Sequence, residues 1–248
     1  MKSLGLTLAF LLFFAACGDD EEKMDEPGAG ASALESAPDD EAPPQCADLD
    51  EKAGGRFCCE PGQRLEGGLP PEHTGIRCEV GGVKQGPART LHPDGRLHGN
   101  TGYNKGLEHG PRVEWDASGV KLSEQGYQDG KLHGPWKEWD DQGRVLGEGT
   151  WEKGRKIGTE ISYHKDGTKR SLGTWLDGER HGIWTEWRAS GQKESEVEYD
   201  HGIRHGTETF WHQNGQVWSR ARFEDGERAG IREEWTPEGL PLTGPAAR

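Results

Sequence analysis

The sequence predicts an all-β fold, an elongated single-layer antiparallel β-meander of seven 24-residue hairpin repeats behind a disordered tether and a small disulfide-rich cap. Three observations carry this. Glycines recur at 82, 106, 130, 154, 178, 202 and 226, with parallel series starting at Gly86 and Gly95. Rings keep the same beat at Trp115, Trp139, Tyr163, Trp187, Trp211 and Trp235, and again at Tyr103, Tyr127, Trp151, Trp175, Tyr199 and Phe223. The 248 residues are also only 31% hydrophobic, yet hold 39 glycines and ten tryptophans. That balance suits many short strands and tight turns better than one thick aliphatic core, and it excludes a protein of many membrane spans.

The chain opens with Lys2 and an apolar run from Leu4 to Ala16. Such a run is too short to span a bilayer, which takes about 20 residues, but suits a secretory signal segment over residues 1–16. Cys17 follows two alanines and precedes Gly18-Asp19. This arrangement resembles the lipobox of bacterial lipoproteins, with Phe14 where leucine is usual. The resemblance implies that Cys17 is acylated and becomes the mature N-terminus.

Residues 17–45 form the expected tether. From residue 18 to 51 there are 13 acidic residues against one lysine. A segment of Asp, Glu, Gly, Ala, Ser and Pro cannot bury enough surface to offset its ordering entropy, so disorder is expected. Most of the formal net charge of −14 therefore belongs to a tail. Residues 82–248 carry 27 acidic and 24 basic side chains, which leaves no basic footprint for nucleic acid.

Residues 46–81 read as a cysteine-rich cap. Cys46, Cys58, Cys59 and Cys78 are an even set in an exported chain and predict two disulfides. Two pairings stay open, 46–58 with 59–78, which is favoured, or 46–59 with 58–78. No Cys-x-x-Cys spacing supports a zinc site. A bridge onto Cys78 would protect the first strand edge of the repeats.

Residues 82–248 are the repeat domain. Dipeptides such as Asp129-Gly130, Asp177-Gly178 and Asn214-Gly215 mark hairpin turns because glycine accepts φ > 0. Runs of strand length lie between them, with alternating faces. Small residues two and four before the second ring, such as Gly147 and Gly149 or Ser195 and Val197, leave room for rings from neighbouring strands. Leu91 in the first unit and the stop near Pro241 look like caps. The units Asp129 to Trp139, Asp177 to Trp187 and His201 to Trp211 resemble MORN repeats of the bacterial variant. That resemblance implies a scaffold, a membrane-associated adaptor or an antitoxin or immunity protein, and it brings no shared catalytic residue.

Among candidate sites, His109, His133, His181 and His205 share one column, but neighbours at about 10 Å cannot share an ion. They read as turn residues, and His201 with His205 at most as an adventitious metal site. Glu194, Glu196, Glu198 and Asp200 line one strand face and read as solvated ion-pair partners, not a hydrolase pair. Trp136, Trp184 and Trp218 fall on the face opposite the first ring column and are the candidate ligand-binding residues, since exposed indoles stack on sugars or partner side chains. No nucleophile elbow, zinc-protease motif or phosphate loop occurs.

No catalytic residue, metal or cofactor is expected. The function expected is a non-enzymatic, lipid-anchored scaffold of the cell envelope, with the outer membrane favoured, that holds another envelope protein. The alternatives are a cell-wall or surface-polysaccharide binding module and an immunity-type protein.

Overall fold

The computed structural model describes residues 44–243. The signal segment, Cys17 and almost all of the tether lie outside them. Among the described residues no helix is long and apolar enough to cross a membrane.

Two short strands, β1 (Cys46–Ala47) and β2 (Phe57–Cys58), pair around a single 3-10 turn at Glu51–Ala53. Cys46 lies opposite Cys58 and is bonded to it, and Cys59 is bonded to Cys78, so the favoured pairing holds. The second bridge sits in a small core of Phe57, Cys59, Ile76 and Cys78, flanked by Leu49 and Leu65.

The main sheet begins earlier than Gly82. Strands β3 (Arg64–Gly68) and β4 (Gly75–Val80) pair with each other, and β4 pairs with β5 (Val83–Leu91). The glycine pair Gly81-Gly82 makes one more hairpin turn, so the disulfide-bonded segment supplies the first two strands of the ladder. From β5 the sheet runs through β6 (Leu97–Asn104), β7 (Leu107–Trp115), β8 (Lys121–Gln128), β9 (Lys131–Trp139) and β10 (Val145–Glu152). It continues through β11 (Arg155–Tyr163), β12 (Lys169–Leu176), β13 (Glu179–Trp187), β14 (Lys193–Asp200), β15 (Ile203–Trp211) and β16 (Val217–Glu224). Three short strands finish it: β17 (Glu227–Arg228), β18 (Glu233–Trp235) and β19 (Pro241–Thr243). Seventeen antiparallel strands thus form a long meander. Each pairs with its chain neighbours, except that β16 takes both β17 and β18.

Two kinds of turn alternate. At one edge, two-residue turns place both residues at positive φ, for example Asp129 at 50° and Gly130 at 76°, which is the turn whose twist matches that of the strands. At the other edge, the loop at Asp140 closes with Gly143 N–H donating to Asp140 O at 2.9 Å, and Gly143 has φ 74°. The residue before each ring is followed by a register shift on the partner strand, as between Val145 and Gly147 on β10, so Leu146 is an extra, bulged residue.

The registers separate the two faces. One row crosses the sheet as Val113, Glu124, Lys137, Glu148, Ile161 and Leu172. It shares its face, here called the first face, with the Trp139 ring column. The adjacent row carries Ser123, Glu138, Gly147, Ser162 and Ser171 and belongs to the second face. Small residues in that second row let Trp136 and Trp184 lie flat across the strands. A Cβ on Gly149 would sit 2.8 Å from Trp136, and one on Gly173 would sit 2.0 Å from the Trp184 ring.

Candidate partner-binding face

Trp136, Trp184 and Trp218 all stand on the second face, but two of them are corrected from ligand candidates to core. Trp136 is 9% exposed and Trp184 5%. Each covers glycine backbone on the neighbouring strand, and Trp184 Nε1 donates to Thr174 O at 3.0 Å. Lys156 lies over the rings of Trp136, Trp151 and Trp175, and Arg180 over Trp184 at 4.4 Å, so the remaining indole faces are occupied by this chain's own cations. Trp218 differs: as the extra residue of a bulge it is turned out, 44% exposed, beside Phe210 at 6.0 Å.

The carboxylate file on β14 is also rearranged. Glu194 is the extra residue of the bulge and faces Arg188 at 3.5 Å, while Glu196 meets Lys193 at 2.6 Å. Glu198 Oε2 accepts from the Thr207 backbone N–H at 3.2 Å. Each is engaged locally, and the pair separation a glycosidase needs is not presented to a pocket.

The first face has the better-formed surface. Its rings, Trp115 to Trp235, are each partly exposed and evenly repeated. Cations from neighbouring strands stand over several of them: Lys121 over Trp139 at 5.2 Å, Lys169 over Trp187 at 5.4 Å and Lys193 over Trp211 at 5.4 Å. These cations stand alike because β8, β12 and β14 each open with a lysine that lies opposite one ring and beside the next.

A groove of about 650 Å³ runs beside Trp139, lined by Glu124, Lys137, Glu148, Thr159 and Ile161 among others. Its polar part is preorganised. Lys137 Nζ lies 2.6 Å from Glu148, and the Tyr163 hydroxyl donates to Glu148 at 3.1 Å. The hydrogen bond from Lys137 holds the Glu148 carboxyl below its ordinary range, and the same bond raises Lys137. Both therefore stay charged at neutral pH. Ile161 and Leu172 add an apolar step to the row. Partly exposed tryptophans, a fixed ion pair and a short apolar strip are the parts from which protein interfaces are built.

The sequence pattern did single out this ring column, but as the core ladder. The signal that could have separated the columns is a glycine two residues before the second ring, Gly149 and Gly173, which leaves room for Trp136 and Trp184 on the neighbouring strand.

In comparison with known families, residues 180–201 and 204–225 match the MORN repeat variant. These are two consecutive units, β13 to β14 and β15 to β16, and the other units share their glycine spacing and strand register. No curated protein matches the chain.

Proposed function

We propose that the chain is a non-enzymatic scaffold of the bacterial envelope, anchored by lipid on Cys17 and using the first face of the sheet to hold another envelope protein. The observation that carries this is the unbroken ring column with its interleaved cations, set beside the Glu124-Lys137-Glu148-Ile161 row. A surface repeated along six units offers contacts that add along a long partner. The MORN repeat is generally a protein- or membrane-interaction unit, which agrees with a scaffold. The acidic tether would hold the sheet off the membrane, with the outer membrane the favoured site.

A polysaccharide-binding reading has one specific observation in its favour, the exposed Trp218 beside Phe210 and His212. The test separates the two. The immobilised chain is washed with solubilised envelope, and the retained material is identified by mass spectrometry and sugar analysis. The expected result is a stoichiometric protein that survives glycan competition and is lost from a W139A/W187A double variant. Retained polysaccharide without protein, released by W218A, would overturn the scaffold reading in favour of the second.

A further inference from the structure

We propose that His181, Asp200 and His201 form a binding site for a divalent transition metal of the zinc class, at the two-residue-turn edge between the fifth and sixth repeats. Among the described residues these three alone bring His, Cys, Asp or Glu donor atoms together as a group, all within 4.8 Å of one another. The reason is a single departure from the repeat. The first residue of each two-residue turn is Lys105, Asp129, Lys153, Asp177, His201 and Asp225 in successive units, each at φ 45–51°. In His109 and His205 the ring faces a turn aspartate, at 3.6 Å and 3.7 Å, so only two donors meet. At His181 the facing turn begins with His201, and the residue before it is Asp200, so three donors meet.

The geometry fits a tetrahedral ion. His181 Nδ1 is 3.3 Å from Asp200 Oδ1, and His201 Nδ1 is 2.7 Å from the same oxygen. Zinc with nitrogen and oxygen ligands at about 2.0–2.2 Å sets its donors about 3.4 Å apart, so the His181–Asp200 spacing already fits and the His201–Asp200 contact must open. His181 Nδ1 is itself shielded from solvent yet makes no hydrogen bond, its 3.3 Å neighbour being out of line for one. An imidazole nitrogen enclosed beside a carboxylate and left without a hydrogen bond is placed as a lone-pair donor. The His181 and His201 rings meet edge to face with centroids 5.5 Å apart, which fixes both. The donor set of two imidazoles and one carboxylate suits zinc, copper or nickel and disfavours calcium or magnesium. Asp200 is 53% and His201 63% exposed, which leaves a fourth position open to water or to a donor from a partner. On binding, His181 and His201 each offer the Nδ1 lone pair to the ion, with the ring proton held on Nε2.

The experiment uses the full chain, stripped with chelator and dialysed, titrated with zinc chloride by calorimetry and with cobalt(II) by visible absorption. The expected result is one zinc equivalent and tetrahedral cobalt bands, with affinity at least about tenfold weaker in H181A and in H201K. H201K restores the residue type that Lys105 and Lys153 already place at the same turn position, both at φ 49°, so it preserves the fold, as circular dichroism can check. H205A, whose ring meets one aspartate only, is expected to match the parent. Zinc uptake unchanged in both H181A and H201K, or no tetrahedral cobalt spectrum in the parent, would overturn the proposal.

Discussion

At the scale of single residues, the two buried tryptophans of the second face do the same work with different satisfaction. Trp184 Nε1 donates to Thr174 O, whereas Trp136 Nε1 finds no acceptor among the described residues. Phenylalanine keeps most of the apolar cover but lacks the N–H. W184F therefore leaves a backbone carbonyl without its partner and is expected to cost about 1–2 kcal/mol, while W136F removes an unmet donor and should be close to neutral. Urea midpoints of the two variants check this; equal losses would mean that the Thr174 bond is not responsible. Truncation is harsher: W184A removes the ring from over Gly173 and should cost about 3–5 kcal/mol. G173A reaches the same contact from the other side, because its Cβ would stand 2.0 Å from the indole.

The loops show how one element is tied to the next. His92, His164 and His212 each place Nε2 at 2.7–3.0 Å from the carbonyl of the ring residue in the following unit, at Trp115, Trp187 and Trp235. A carbonyl only accepts, so Nε2 carries the proton in each case. Arg188 makes the same tie to Trp211 O at 2.9 Å. Where aspartate takes this position the bonds turn inward: Asp140 Oδ1 accepts from the backbone N–H groups of Gln142 and Arg144, both at 2.9 Å. The backbone bond from Arg144 lowers the Asp140 pKa, the Ser118 hydroxyl lowers that of Asp116, and the Thr168 hydroxyl lowers that of Asp166 at a neighbouring loop position. Because the folded values lie below the unfolded ones, this stabilisation is complete above the ordinary carboxylate range and is lost as pH falls through the folded values. The melting temperature should be level from about pH 7 to 5 and decline below about pH 4. A melting temperature that stays level below about pH 4 would show that these loop bonds do not contribute to stability.

Glycine and ring spacing made the hairpins legible in the sequence, since a two-residue turn such as Asp129-Gly130 admits few residue types. What the spacing did not show is the bulge after each ring. One extra residue there turns Trp218 outward and takes Glu194 out of its file, and parity counted along an unbroken strand gives no hint of it. The start of the sheet at Arg64 was hidden for another reason: β3 and β4 lack the repeat's rings and are held by a disulfide and a small core instead. The metal-binding triad was hidden because the sequence invites counting histidines down the column, while the contact that matters runs from His181 to the next turn.

For the whole molecule, pairing between chain neighbours makes stability local. The N-terminal end of the sheet is fastened by the Cys59–Cys78 bridge. The other end tapers to strands of two and three residues and exposes Ile231, Leu240 and Leu242. Opening should therefore begin at the C-terminal end. Hydrogen exchange is expected to be fastest in β17 to β19 and slowest around β9 to β14, where Trp136 and Trp184 are buried. Uniform protection from β5 to β19 would show that the sheet opens as one cooperative body.

The turn edge carries one more consequence. Its leading residues alternate in kind, Lys105, Asp129, Lys153, Asp177, then His201 and Asp225, and the row under the second face alternates as well, Trp136, Glu160, Trp184, Glu208. Parity, then, is written into a chain whose backbone repeats every 24 residues. Adding or deleting a single hairpin would leave the hydrogen-bond ladder unbroken yet break the alternation of these two rows, as by bringing Lys105 beside Lys153 or Trp136 beside Trp184, whereas a block of 48 residues keeps it. Duplication or loss within this gene should be tolerated in pairs of hairpins, so that the molecule lengthens by even steps.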